Sequence, residues 1–166
     1  DLNPPVRLLC GTGPTNPDPR VLRALAAPVL GQFDPVFTAI MNEVIDLARA
    51  VFRTANPRTF SVSGTGRAAM EAALASLIEP GDRVLVGNCG RFGDLFADIA
   101  SRYGAEVSQV RAEGGQIIDP QAIKAALARG PAKSVCMVHG ETSTGMWQAH
   151  MDEIGRICRA HDALLV

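Results

Sequence analysis

The chain has 166 residues, 47% hydrophobic and 20% charged, with a formal net charge of −1. That is the make-up expected of a soluble α/β domain with a real core. It lacks the basic footprint of a nucleic-acid binder, and no apolar run approaches the ~20 residues that a membrane-spanning helix needs. Asp1-Leu2-Asn3-Pro4-Pro5 has neither the charged start nor the apolar stretch of a signal peptide, so a cytoplasmic setting is expected. Cys10, Cys89, Cys136 and Cys158 are scattered, with no Cys-x-x-Cys, and read as reduced, buried thiols. His139, His150 and His161 lack metal-ligand spacing, so no metal site is expected.

In chain order, residues 7–17 mix apolar side chains with Gly11, Gly13, Pro14 and Pro17 and read as an irregular arm, so that residues 1–17 form an N-terminal arm. Asp18-Pro19 starts a helix running to Ala27, with Asp as cap and Pro in the first turn. Asp34-Pro35 repeats that signal. Phe37, Ile40, Met41, Val44, Leu47, Ala48 and Val51 then follow helical spacing to about Arg53. Asn56-Pro57 ends the helix.

A strand–helix alternation follows. Thr59 to Ser63 reads as a strand feeding a helix over 67–78, and Glu79-Pro80-Gly81-Asp82 as a turn. Strands are expected over 83–86, 106–110 and 134–138, and helices over 92–103, 120–129 and 152–161. Ala163-Leu164-Leu165-Val166 reads as a buried central strand, which suggests a fragment. The alternation implies an α/β fold with a largely parallel sheet and flanking helices on both faces.

Between the strand expected at 59–63 and its helix lies Gly64-Thr65-Gly66. A glycine turn into a helix N-terminus leaves backbone N–H groups unpaired at the positive end of the dipole, which suits an anion and most often phosphate. Gly64-Thr65-Gly66-Arg67-Ala68-Ala69 fits the loose dinucleotide pattern, but the next strand ends at Gly87-Asn88 and offers no acidic residue for a ribose. No Gly-Lys-Ser/Thr follows, which argues against a nucleoside-triphosphate loop. A purely structural turn stays open. Against it stands Arg67, which opposes the helix dipole unless an anion is present.

Three further segments carry a resemblance. Leu9-Cys10-Gly11-Thr12-Gly13-Pro14-Thr15-Asn16 resembles the Gly-Pro-Gly-Pro arm of the alanine–glyoxylate and serine–pyruvate aminotransferases, pyridoxal-phosphate (PLP) enzymes of class V, although Thr12 departs from it. Gly90-Arg91-Phe92-Gly93 is similar to the segment bearing their ring-stacking aromatic. His139-Gly140-Glu141-Thr142-Ser143-Thr144-Gly145 is similar to their His-Gly-Glu loop, and Ser63 to Arg67 to their phosphate turn. Gly31-Gln32-Phe33-Asp34-Pro35, Met41-Asn42-Glu43-Val44 and Gly90-Arg91-Phe92-Gly93 look most like the (S)-ureidoglycine–glyoxylate aminotransferases of purine breakdown; many alanine–glyoxylate relatives carry His in place of Gln32.

The resemblance implies the first part of a fold-type-I large domain, with residues 18–166 a truncated PLP-binding portion. It implies that Thr65, Gly66 and Arg67 hold the phosphate, Phe92 lies against the pyridine ring and Thr142 bonds near the ring oxygen. Gly13 and Gln32 would border the substrate, an amino donor with glyoxylate as acceptor, in a homodimer. His139 and Glu141 read as shaping their loop, Trp147 as a packing residue, and Met146 and Met151 as apolar filler. Lys124 and Lys133 read as solvated, so no catalytic residue is expected in this chain. The Schiff-base lysine and the ring-nitrogen carboxylate are expected beyond Val166, and residues 1–166 alone are expected to be inactive. Alternatives are an alanine– or serine–glyoxylate aminotransferase, a cysteine desulfurase of the same fold group, and a non-catalytic phosphate-binding α/β domain.

Overall fold

The computed structural model describes residues 3–166. Its contacts divide the chain into two units, Asp1–Ser63 and Gly64–Val166. In the first, α1 (Pro19–Leu25) and α2 (Pro35–Phe52) both start as their Asp-Pro signals require. The Asp18 carboxylate accepts from the Arg20 amide at 2.8 Å and the Asp34 carboxylate from the Val36 amide at 2.8 Å. Asn16 pins the arm, accepting from the Leu9 amide at 2.7 Å and donating to the Arg7 carbonyl at 2.9 Å. Neither helix buries a residue. The helical spacing of Ile40, Val44, Leu47 and Val51 is present, but all four are exposed.

The strand expected at 59–63 is not formed. A strand exists only with a paired neighbour; these residues have none among the described residues, and Phe60 and Val62 are exposed.

The second unit holds the core. It contains α3 (Gly66–Leu77), β1 (Arg83–Asn88), α4 (Arg91–Arg102), β2 (Glu106–Arg111), α5 (Pro120–Leu127) and β3 (Ser134–Met137). A short hairpin, β4 (Gly140–Glu141) and β5 (Met146–Trp147), then leads into α6 (Met151–Ala160) and β6 (Leu164–Leu165). The sheet order is β2-β1-β3-β6, all parallel. Alternation along the strands makes three layers. Val84 and Val86 of β1 and Cys136 of β3 pack with Leu74 and Ile78 near the end of α3 and with Phe96 and Ile99 of α4. Leu85, Val135 and Met137 pack with Ile123 and Leu127 of α5 and Ile154 and Cys158 of α6. Full burial of such a side chain stabilises by about 1.5–3 kcal/mol. Both β1 and β3 therefore read as near-continuous apolar runs, as strands covered on two faces must.

The strand at the C-terminal end of the chain forms, but at an edge of this sheet, paired only with β3. Leu164 is 45% exposed and Leu165 38%, on the side of β6 where the described residues supply no further strand. Cys89, Cys136 and Cys158 are buried as expected, whereas Cys10 is exposed. Burial pushes the Cys136 thiol up to about 11. Among the described residues no helix is long and apolar enough to cross a membrane.

Candidate functional site

Parallel α/β sheets bind ligands outside the carboxyl ends of their strands, at the point where the strand order reverses. Here that point lies between β1 and β3, since β1 leads through α4 to β2 on one side while β3 sits on the other. The segments leaving these two strands meet there. After β1 the chain turns through Cys89-Gly90 into α4. After β3 it turns through Val138-His139 into the hairpin.

Glu141 joins them. Its side chain is fully buried. Oε2 accepts from the amides of Phe92 at 2.9 Å and Gly93 at 3.3 Å. Oε1 accepts from the Ser143 amide at 3.1 Å and the Ser143 hydroxyl at 2.6 Å. Ser143 Oγ in turn accepts from the Arg91 amide at 3.0 Å. The N-terminus of α4, which has no side-chain cap from its own cap residue Gly90, is thus capped from about fifty residues away. Sequence reasoning gave Glu141 a loop-shaping role; the structure shows how that role is carried out.

The two glycines of Gly90-Arg91-Phe92-Gly93 make this approach possible. A Cβ on Gly90 would lie 2.6 Å from Glu141 Cγ and 2.6 Å from Ser143 Oγ. On Gly93 it would lie 2.6 Å from Asn88 Oδ1 and 2.8 Å from Asn88 Cα. Asn88, buried at the end of β1, was missed as a site residue. Its Oδ1 accepts from the Gly90 amide at 3.1 Å, and its Nδ2 donates to Asp94 Oδ1 at 2.7 Å and Gln109 Oε1 at 2.8 Å. Hydrogen bonding from Asn88 first, then from Arg111, holds the Asp94 carboxyl below its ordinary value. Burial, and then the nearby Glu141 carboxylate, push the Cys89 thiol up.

Gln148 was also missed. Its amide accepts from Ile118 N at 2.8 Å and donates to Ile118 O at 2.9 Å, replacing a strand neighbour and fixing the hairpin's exit. A polar side chain ending an apolar run was the only local signal for either residue.

The expected site residues fall as follows. Phe92 is half-buried in the first turn of α4, and Thr142 is exposed at the start of the 142–145 turn, next to Glu141. One carboxylate therefore ties together the segments carrying Phe92 and Thr142. Thr65 caps α3, its hydroxyl accepting from the Ala68 amide at 3.3 Å. The amides of Gly66 and Arg67 donate to nothing among the described residues. A Cβ on Gly66 would meet nothing within 4 Å. Arg67 is exposed and makes no ion pair among the described residues. With Arg91, Asp94, Leu95 and Asp98 it lines a cleft of about 250 Å³, so α3 begins beside the first half of α4. Gly13 and Gln32 lie in the first unit, both exposed. Trp147 is 68% exposed, its ring centroid 5.6 Å from that of His139; it is a surface residue of the hairpin rather than a core-packing one. Lys124 and Lys133 are exposed.

Two helices thus start near one edge of the sheet. The start of α4 is filled by a protein carboxylate; that of α3 is open, with two free amides, a hydroxyl and a guanidinium. This donor set fits a phosphate ester, and the PLP phosphate is one.

The layered parallel sheet, with its open helix start beside the β1/β3 reversal, is the α/β architecture of the aminotransferases. The chain belongs to the class-V aminotransferase family, whose model matches residues 22–166. It is 47% identical over 166 residues to the (S)-ureidoglycine–glyoxylate transaminase of Bacillus subtilis, covering 100% of this chain and 40% of that protein. It is 41% identical over 162 residues to an alanine–glyoxylate aminotransferase of Drosophila melanogaster, covering 98% and 41%. The crystal structure of the Bacillus subtilis ureidoglycine–glyoxylate aminotransferase superposes with a TM-score of 0.95 over 99% of this chain and 42% of that one. The chain spans about 40% of the length of the curated relatives it matches.

Proposed function

We propose that the complete protein is a PLP-dependent aminotransferase that uses glyoxylate as amino acceptor and (S)-ureidoglycine as donor, in cytoplasmic purine breakdown and as a homodimer. The observation that carries the cofactor reading is the contrast between the two helix starts, one filled by Glu141 and one left open at Thr65–Arg67. Residues 18–166 then form the first part of the cofactor-binding domain and residues 1–17 an arm.

Bound PLP supplies an aldehyde that takes up an amino group and a ring that draws electrons from the adjacent carbon. The Gly66 and Arg67 amides, the Thr65 hydroxyl and the Arg67 guanidinium would hold the phosphate. The Thr65 oxygen already accepts from Ala68, so its hydrogen is free to donate to that anion. Phe92 would lie against the ring and Thr142 would bond near its oxygen. Fixing the ring in this way converts binding into orientation of the bond to be broken. The proton-moving lysine and the carboxylate on the ring nitrogen come from outside residues 1–166.

Gly13 and Gln32 border the substrate. The Gln32 amide offers both a donor and an acceptor, which suits a ureido group better than a methyl group. Identity of 47% to the ureidoglycine enzyme, against 41–43% to alanine–glyoxylate enzymes, supports the same donor. The test is glyoxylate-dependent transamination by the complete protein with each donor. Ureidoglycine should give the higher kcat/KM, and Gln32→His should reduce it more than the alanine value. A higher kcat/KM for alanine replaces the donor and leaves the class standing; equal losses on both donors remove Gln32 as a specificity residue.

A further inference from the structure

Taking a carboxylate out of water is costly unless hydrogen bonds replace the hydration. Glu141 is fully buried and has no ion-pair partner among the described residues. It accepts four hydrogen bonds, two from α4 and two from Ser143. A cheaper local cap was available, since Ser, Thr or Asp at position 90 could have capped α4. Position 90 is instead a glycine, and a Cβ there would collide with Glu141. The sequence gives up the local cap to admit the remote one. A structure that needed only a helix start would not require this. A structure that must hold the first turn of α4 at a set distance from the 142–145 turn would.

We infer that Glu141 is a positioning residue, which fixes Phe92 and Thr142 relative to each other and so sets where the PLP ring sits. The inference rests on the cofactor reading of those two residues. The geometry makes the two sides of the carboxylate non-equivalent to an amide. In Glu141→Gln one of the two oxygens becomes an N–H₂ donor. Facing Ser143, it opposes the Ser143 amide. Facing α4, it opposes the amides of Phe92 and Gly93. Either way one half of the strut is lost at almost unchanged volume.

The test uses the complete protein and the variants E141Q, F92A and E141Q/F92A, with PLP titrated into each cofactor-free form and followed by fluorescence and visible circular dichroism. Each single variant is expected to raise the Kd for PLP by about tenfold, and the double variant by clearly less than the product of the two, because part of the E141Q effect acts through Phe92. In the cofactor-free protein, hydrogen exchange should quicken in peptides covering 90–94 and 141–145 of E141Q and stay unchanged in β2 and α5. If E141Q does not fold, E141D, one methylene too short to bridge both sides, should show the same pattern. Multiplying losses in the double variant, or unchanged PLP affinity in E141Q, overturns the positioning role and leaves the cofactor reading intact. A wild-type protein that does not bind PLP overturns both.

Discussion

Replacing Gly93 with alanine isolates a close approach to backbone at the carboxyl end of β1. In an exposed helix interior this change stabilises by about 0.5–1 kcal/mol, because glycine loses more backbone freedom on folding. At Gly93 the new methyl would lie 2.6 Å from Asn88 Oδ1 and 2.8 Å from Asn88 Cα, and the latter is backbone at the end of a central strand. Overpacking of this kind costs about 1–3 kcal/mol. Pushing Asn88 aside also weakens its bonds to Gly90, Asp94 and Gln109, at roughly 0.5–1.5 kcal/mol each. With one or two of these lost, and the gain of about 0.5–1 kcal/mol subtracted, the net expectation is destabilisation by roughly 0.5–5.5 kcal/mol. Gly155→Ala in α6 is the control, since its methyl would meet nothing closer than 3.6 Å; it should stabilise by up to about 1 kcal/mol. Urea denaturation of the cofactor-free complete protein, followed by far-ultraviolet circular dichroism, reads both. A Gly93→Ala midpoint at or above the wild-type value would refute the close-approach argument.

Thr65→Ala should destabilise α3 by about 1 kcal/mol through the lost cap and raise the Kd for PLP, while Thr65→Ser keeps both values near wild type; equal effects of the two substitutions count against the hydroxyl. Asp94 has its folded pKa below its unfolded one, so its contribution is present above the unfolded value of about 3.9 and is lost as pH falls through the folded value. Asp94→Asn should therefore flatten the decline of the urea midpoint in that acid window, and an unchanged slope would contradict the assignment. Under native alkylation mapped by mass spectrometry, Cys10 should label first and Cys136 only on unfolding, burial having also pushed the Cys136 thiol up to about 11. Borohydride reduction of the PLP-loaded complete protein should leave Lys124 and Lys133 unmodified; a stoichiometric adduct on either would mean that the catalytic lysine lies in this chain.

Local signals in the sequence translated directly into local structure. Asp18-Pro19 and Asp34-Pro35 each became an aspartate cap followed by a first-turn proline, and the helix expected over 120–129 starts in the same way at Asp119-Pro120. The apolar runs of β1 and β3 became strands covered on both faces. What was not legible depended on distant partners. Thr59 to Ser63 has the composition of a strand but no neighbour to pair with among the described residues. The β4–β5 hairpin has two residues in each strand, too few for any periodicity. At the site, motif resemblance pointed to Phe92 and Thr142 but could not show that Glu141 joins their segments, nor that Asn88 and Gln148 hold the turns on either side. Gly90 and Gly93, directly after an apolar strand, were the nearest thing to a visible sign of that crowding.

The remote cap on α4 has a consequence for the order in which the protein can become ordered during synthesis. Helices of about 12 residues are marginal on their own, and α4 has 12, with no side-chain cap from its own start. Its cap leaves the ribosome 49 residues after Phe92, which at ~5–20 residues per second is a wait of roughly 2–10 s. The hairpin bringing Glu141 is too short to persist alone, and it gains its hold from the same bonds. The start of α4 and the hairpin are therefore expected to become ordered together, after the strand that precedes α4 has been made.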